Sequence, residues 1–319
     1  MSRPPRPAHL PVRDGVGPSS VALPPGAWPL VLDFLAQRLP ALDRSQWQER
    51  MAAGQVLTED GRPLPPDAPY APFAARPGQR LHYWRHVTAE PPLPASESIV
   101  YQDEWLVIAD KPHFMPVTPS GSYVRQSLLA RLRRRLGLPA LSPIHRIDRD
   151  TAGLIAFAVQ PATRAAYQQL FARQQVGKLY EAIAADWPAS APPLPHTHRS
   201  RLVPHSHFFT MHEQPGAPNS HTRITRLRGL PGQRALYALE PLTGRRHQLR
   251  AHMAALGVPL EGDPFYPAVT RAADQPDDWQ RPLQLLARRL TLRDPHSGLT
   301  HHFESRLHLS GLTSAAPAP

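Results

Sequence analysis

The chain has no cysteine. That excludes disulfides and thiolate metal sites, and it fits a reducing compartment. No apolar run has the length needed to cross a bilayer. The opening residues, MSRPPRPAHLPVRDG, lack the apolar centre of a secretory signal. A soluble, cytoplasmic chain with no membrane partner is therefore expected. Also missing are a phosphate-binding P-loop, a GxGxxG fingerprint and an HExxH pair. Nucleotide-driven, redox and zinc-hydrolase chemistry have no motif to rest on, so neither cofactor nor metal is expected. The pairs His196 and His198, His205 and His207, and His301 and His302 lack the spacing of a helical zinc site.

Proline and basic charge are plentiful. Of 319 residues 41 are proline, and 36 Lys and Arg stand against 25 Asp and Glu, a net charge of +11. A surplus of this size favours a polyanion, RNA or DNA first, although an arginine-rich composition with an ordinary surface gives the same total. The prolines gather at the ends and in connecting stretches, which divides the chain. Residues 1–28 read as a disordered tail and 29–88 as a small α+β module. Residues 89–98, including PPLPASES, read as a linker, 99–310 as the main domain and 311–319 as a second tail.

In the small module, Val31, Leu32, Phe34, Leu35 and Leu39 recur at helical spacing. A second helix is expected from about Ser45, a serine N-cap, to Ala53, ahead of Gly54. QVLTEDG and QRLHYW read as short strands.

The main domain opens on IVYQDEWLVIADKP, a strand broken at Asp103 and Glu104. Gln126 to Leu136 is an amphipathic helix with Arg131, Arg134 and Arg135 turned from its leucine stripe, a solvated face or an RNA contact. Gly153 to Gln160 is a strand, Thr163 to Gln175 a helix and KLYEAIAADW a strand. HTRITRLR and RALYALEPL form a hairpin, and TGRRHQLRAHMAALG a helix with Thr243 near its N-cap.

Three groups can carry chemistry. Asp148 sits in IHRIDRDTAGL, a polar loop ahead of the apolar run LIAFAV, where a carboxylate is either a surface acid or a positioned nucleophile or base. Tyr180 shares a strand face with Ala182 and Ala184, as a core tyrosine would. In TGRRHQLR, Arg246 and His247 lie one helical turn or less from Arg250, a cluster that binds phosphate, pairs with a carboxylate or faces solvent. Arg250 borders the stripe of Leu249 and Met253, where a guanidinium needs a partner.

HRIDRDTAG, KLYEA, PLTGRRHQLRAHM and GVPLEGDPFY, in that order, resemble the motifs of the RluA-type pseudouridine synthases, from about Ile99 to Leu307. The family's first motif usually reads HRLDxxTSG, so Ile147 and Ala152 are conservative departures, and Leu286 stands where the family often has histidine. The resemblance implies an α+β fold: a mixed, largely antiparallel sheet in two halves with a cleft between them. It implies RNA, ribosomal or transfer, as substrate, and a monomer needing no obligatory protein partner. It makes Asp148 the essential aspartate, Tyr180 the active-site tyrosine and Arg250 the arginine that pairs with Asp148. Arg146 matches the side chain that fills the stack after a nucleotide is flipped out. His145 is expected to hold the loop beside substrate, with Arg245, Arg246, His247 and Gln248 lining the cleft, and Asp150 to be structural. The small module resembles a degenerate S4-like RNA-binding unit, with Gln46 where arginine is usual. Two other classes compete: a non-catalytic RNA-binding factor on the same fold, and a hydrolase using Asp148 and Asp150 as a carboxylate pair.

Overall fold

A computed structural model of the chain describes residues 10–312 apart from 75–77, 86–88, 206–208 and 273–274. His207, residues 1–9 and the tail from 313 lie outside the described residues.

The small unit runs β1 (Ser19–Ala22), α1 (Val31–Arg38), α2 (Arg44–Ala52), β2 (Val56–Leu57), α3 (Ala71–Ala74) and β3 (Arg80–Tyr83). Its antiparallel sheet has the order β1-β3-β2. Val31, Leu32, Phe34 and Leu35 of α1 meet Trp47 and Met51 of α2 in one buried cluster. Two expectations need correcting. The stretch 1–28 is not wholly a loose tail: Ser19–Ala22 pairs with β3, and Leu10 is buried against Leu57 and Trp84. An edge strand tolerates the flanking prolines because one side of its backbone needs no partner. The cap of α2 is Asp43 rather than Ser45. Asp43 Oδ1 accepts the Gln46 N–H at 2.8 Å while Gln46 Oε1 accepts the Asp43 N–H at 3.0 Å, a reciprocal capping box.

The large unit continues with β4 (Ser98–Gln102), β5 (Leu106–Lys111), α4 (Leu128–Leu136), β6 (Ser142–Pro143), β7 (Ala152–Ala158), α5 (Pro161–Ala172) and β8 (Gly177–Ala185). Then come β9 (His196–Pro204), β10 (Met211–Gln214), β11 (Ser220–Leu230), β12 (Arg234–Pro241), α6 (Gln248–Ala255), β13 (Leu285–Arg293) and β14 (Thr300–Glu304). The strands make an 11-stranded sheet whose path is β10-β9-β11-β12-β8-β13-β7-β5-β4, with β14 beside β13 and β6 beside β7. The expected break at Asp103 is a hairpin turn: Asp103 Oδ1 accepts the N–H groups of Trp105 and Leu106 at 2.8 and 2.7 Å.

All β7 residues are buried because helices cover both faces of this half. Leu106, Ile108, Leu154 and Ala156 pack towards Tyr167 of α5, while Val107, Ala109, Ile155 and Phe157 pack towards the leucines of α4. In the other half α6 lays Leu249 and Met253 on Ala182, Ala184, Tyr237 and Leu239. The halves meet where β7 and β13 pair in parallel, Leu286 opposite Ala152 and Ala287 opposite Gly153. A Cβ on Gly153 would lie 2.4 Å from the Ala287 carbonyl oxygen, and its φ of +110° suits only glycine.

Of these α4 arginines Arg131 is half-buried, while Arg134 and Arg135 stay exposed. Arg131 pairs with Glu97 at 2.6 Å, and Arg134 reaches Asp14 at 3.4 Å. Glu90 accepts the N–H groups of Val124, Arg125 and Gln126 ahead of the helix. The stretch read as a linker is thus clamped by its two acids, which explains their burial.

Candidate active site

Asp148 hangs in the tight turn that feeds β7, with Thr151 N–H donated to its carbonyl at 3.2 Å. Neighbouring groups fix the loop. Lys111, fully buried at the end of β5, donates to the carbonyls of Arg149 at 3.0 Å and Pro112 at 2.9 Å. Burial pulls its ammonium down to about 7, against the attraction of Asp150 and Asp148. His113 Nδ1 meets the Asp150 carbonyl at 2.7 Å.

Arg149 is a clamp rather than a phosphate ligand: it forks onto Asp277 and also touches Asp150 at 3.1 Å. Asp150 takes a second arginine, Arg271, at 3.4 Å. Burial resists its charge, and those two guanidinium groups outweigh burial and hold its carboxyl below the ordinary value. Asp150, expected to be structural, is thus held in an ion-pair network.

The Asp148 side chain is 26% exposed and takes one hydrogen bond, from Arg250 Nη1 to Oδ2 at 3.2 Å. Arg250 is 1% exposed and gives its other donors to Asp263: Nε to Oδ2 at 2.8 Å and Nη2 to Oδ1 at 2.6 Å. Burial opposes the Arg250 charge, yet the bonds and charge of Asp263, with Asp148 behind them, hold the guanidinium above its ordinary value. Asp263, whose side chain is fully buried, also accepts the N–H groups of Phe265 and Tyr266. It therefore neutralises and aims Arg250, leaving Asp148 with one hydrogen-bond partner among the described residues and a side chain 26% exposed.

Tyr180 stands on β8 on the face of Ala182 and Ala184, as its register predicts, and lines a cavity of about 530 Å³ with Asp148, Arg250 and Leu285. Its hydroxyl has no hydrogen-bond partner among the described residues. Burial first, and the Asp148 charge second, push the phenol well above its ordinary value. A neutral, unpartnered hydroxyl thus shares a cavity with an ionisable acid.

The predicted helix starts too early. TGRRH is a turn, His247 is left-handed at φ 52°, and α6 begins at Gln248. Gln248 builds that turn: its oxygen accepts Thr243 Oγ1 at 2.7 Å and Arg245 N–H at 3.1 Å, while its amide donates to His221 O and Thr222 Oγ1. All its polar capacity goes to protein, so it shapes the cavity wall and leaves nothing over for substrate. His247 is buried with Nδ1 3.0 Å from the Tyr266 hydroxyl and Nε2 3.8 Å from Asp148 Oδ1, and burial lowers its pKa.

The exposed side chains of Arg245 and Arg246 bond, among the described residues, to the carbonyls of Asn219 and Thr210 respectively. His145 holds the loop: its Nε2 accepts the Ala156 N–H at 3.1 Å, and its ring stacks on Phe171 at 4.5 Å. Burial pulls it down to about 3, so the ring is the neutral acceptor this bond needs. Arg146 is exposed and has neither hydrogen bond nor ion pair among the described residues.

Among the described residues His198, Glu213 and His252 are the group with ligand atoms close enough for a metal. His198 Nε2 lies 2.7 Å from Glu213, and each His252 nitrogen faces a hydroxyl: Nδ1 that of Thr222, Nε2 those of Ser200 and Ser220. The group includes none of Asp148, Tyr180 and Arg250.

Fold and site together define an α+β protein with a partly exposed carboxylate, Asp148, at the join of two half-sheets, while Asp150 is locked to two arginines. A family model, RNA pseudouridylate synthase, matches residues 105–255. An uncharacterised RNA pseudouridine synthase of Synechocystis is 30% identical over 237 residues, 74% of this chain and 79% of the relative. The dual-specificity RNA pseudouridine synthase RluA of Haemophilus influenzae is 30% identical over 222 residues, 68% of this chain and 95% of the relative. The solved structure of human RNA pseudouridylate synthase domain containing 4 matches with a TM-score of 0.52 at 26% identity, covering 66% of this chain and 88% of that one. The chain belongs to the RluA-type RNA pseudouridine synthases, a family of isomerases.

Proposed function

We propose that this chain isomerises particular uridines of structured ribosomal or transfer RNA, with Asp148 as the essential acid. The observation that carries this is the division of labour at Arg250. Asp263 takes two of its three bonds and Asp148 one, which leaves Asp148 aimed and open to a cavity that also holds Tyr180. The reaction breaks the N-glycosidic bond of uridine, turns the uracil and rejoins it through carbon. Reaching that bond requires the nucleotide to leave its stack, at a cost of a few kcal/mol. Arg146, exposed and unpartnered, takes the vacated place, since a guanidinium plane stacks on bases. Tyr180 lies against the extruded uracil, and Arg245 and Arg246 meet the phosphates around it.

No helix among the described residues is long and apolar enough to cross a membrane, and the reading places the chain in the cytoplasm, acting as a single copy. The unit of α1, α2 and β1–β3 serves as an S4-like accessory contact for RNA. Its two helices against a small sheet, and its own buried core, support that part.

Carbodiimide-adduct mapping of RNA from a deletion strain tests the proposal. One or more reverse-transcription stops should vanish, return with the wild-type gene and stay absent with Asp148→Asn. A stop that Asp148→Asn restores would refute the assignment of the acid.

A further inference from the structure

Asp148 stands between two cavities. One is the Tyr180 cavity. The other, about 930 Å³, shares the wall formed by Arg146, Ile147, Asp148, Arg246, His247 and Arg250. The proposed reaction uses only the first.

Of the six large apolar side chains that are exposed among the described residues, two, Phe209 (44%) and Trp279 (43%), line this second cavity. Trp279 has neither a ring partner nor an acceptor for its indole N–H among the described residues. Phe209 sets its ring edge-to-face with Phe265 at 4.7 Å. Exposed aromatics are held in a polar cleft at a cost in solvation unless a flat ligand covers them. Charge points the same way. Asp150 and Asp277 on the wall are consumed by Arg149 and Arg271, while Arg146 and Arg246 have no acidic partner among the described residues. Surplus positive charge beside stacking surfaces is the pattern that holds single-stranded nucleic acid.

We propose that the second cavity is a base-binding subsite for a nucleotide adjoining the target uridine, with Trp279 as its stacking platform and Phe209 as its second wall. The idea rests on the uridine-isomerase reading, which places the target in the Tyr180 cavity. Because the cavities share the Asp148 wall, two successive nucleotides of one strand, splayed apart by Arg146, reach both. The enzyme then recognises two unstacked bases rather than one, and a uridine whose neighbour cannot unstack is a poor substrate.

Binding and turnover test this separately, with the full chain. RNA hairpins carrying one loop uridine and 2-aminopurine on its 5′ or its 3′ side are titrated with the protein. In one of the two placements wild-type protein and Trp279→Phe should quench the fluorescence, and Trp279→Ala should not. Leu299→Ala, a change at a still more exposed side chain just before β14, serves as the control and should quench like wild type. In turnover, on a hairpin built around the uridine that adduct mapping assigns, an abasic nucleotide at that neighbouring position should lower kcat/KM roughly 5- to 100-fold for wild type. Trp279→Ala should show a comparable loss on the intact hairpin and little further loss on the abasic one. Equal quenching by wild type and Trp279→Ala, or losses that simply multiply, would overturn the subsite. Absence of turnover alongside Trp279-dependent quenching would instead sink the isomerase reading and leave the base-binding site standing.

Discussion

Replacing Asp263 by asparagine should damage stability far more than the same change at Asp148, although both carboxylates touch Arg250. Asp263 has a fully buried side chain and takes two bonds from a guanidinium that is itself 1% exposed. Breaking a buried pair of this kind costs about 3–5 kcal/mol, because the remaining charge stays desolvated without compensation. Asp148 is 26% exposed and gives Arg250 a single bond at 3.2 Å, so Asp148→Asn should cost no more than about 1 kcal/mol. Urea unfolding followed by tryptophan fluorescence, read as a midpoint shift at constant slope, separates the two. Arg250→Met combined with Asp263→Asn should recover part of the loss, since the orphaned charge is then gone. Turnover gives the opposite pattern, with Asp148→Asn folded and inactive. Equal midpoints for the two asparagine variants would refute the claim that Asp263 carries the Arg250 charge.

Acid should unfold the chain through buried imidazoles. Burial holds His145 at about 3 and His113 and His252 at about 4, below the ordinary value near 6.5. Between pH 6.5 and 4 the unfolded chain takes up protons that the folded one refuses. Stability therefore falls with pH, by up to about 4 kcal/mol per unit when all three rings contribute, and is regained above 6.5; urea midpoints across that window check the slope. Gly153→Ala should destabilise by about 1–3 kcal/mol from backbone strain alone, with the Ala287 contact adding to it, measured as a lowered melting temperature. Arg146→Ala should leave the urea midpoint within about 0.5 kcal/mol and still reduce turnover on hairpin RNA more than on an unstructured strand carrying the same uridine. RNA affinity should fall with salt at a log–log slope near −0.7 for each phosphate neutralised on single strands, and Arg246→Ala should make that slope shallower by about one phosphate.

The parts of this protein that were legible in its sequence are those set by local pattern. Alternation placed Tyr180 on the face of Ala182 and Ala184, and the apolar run after Asp148 announced a buried strand. What was not legible depends on partners distant in the chain. Nothing local marks Asp263 as the main counter-charge of Arg250, although a predicted buried arginine requires one and GDPFY holds the only acid of the motif nearest to it besides Glu261. Lys111, ending a buried strand, was a signal of the same kind: an ammonium there needs acceptors, and the backbone around Asp148 supplies them. The early start assigned to α6 followed from Thr243 reading as a cap. The Gln248 side chain, satisfying Thr243 and Arg245 itself, draws the chain into a turn instead. Proline-rich composition likewise hid β1, because composition averages over the few apolar residues that pair and pack.

The same contrast explains why the acid and its arginine come from different halves of the sheet. Asp148 lies in the loop before β7 and Arg250 in the first turn of α6, so they meet across the join made by the β7–β13 pairing. That pairing is parallel and short, and it survives at Gly153 only because no side chain intrudes. A substitution that pushes the strands apart at Ala287 should therefore separate Asp148 from Arg250 before it disturbs either core, since each half has its own helix-covered cluster. Gly153→Ala should accordingly lose turnover at temperatures where circular dichroism still reports a folded chain. Activity and secondary structure melting together in that variant would show that the two halves are one cooperative body and that the join has no separate role.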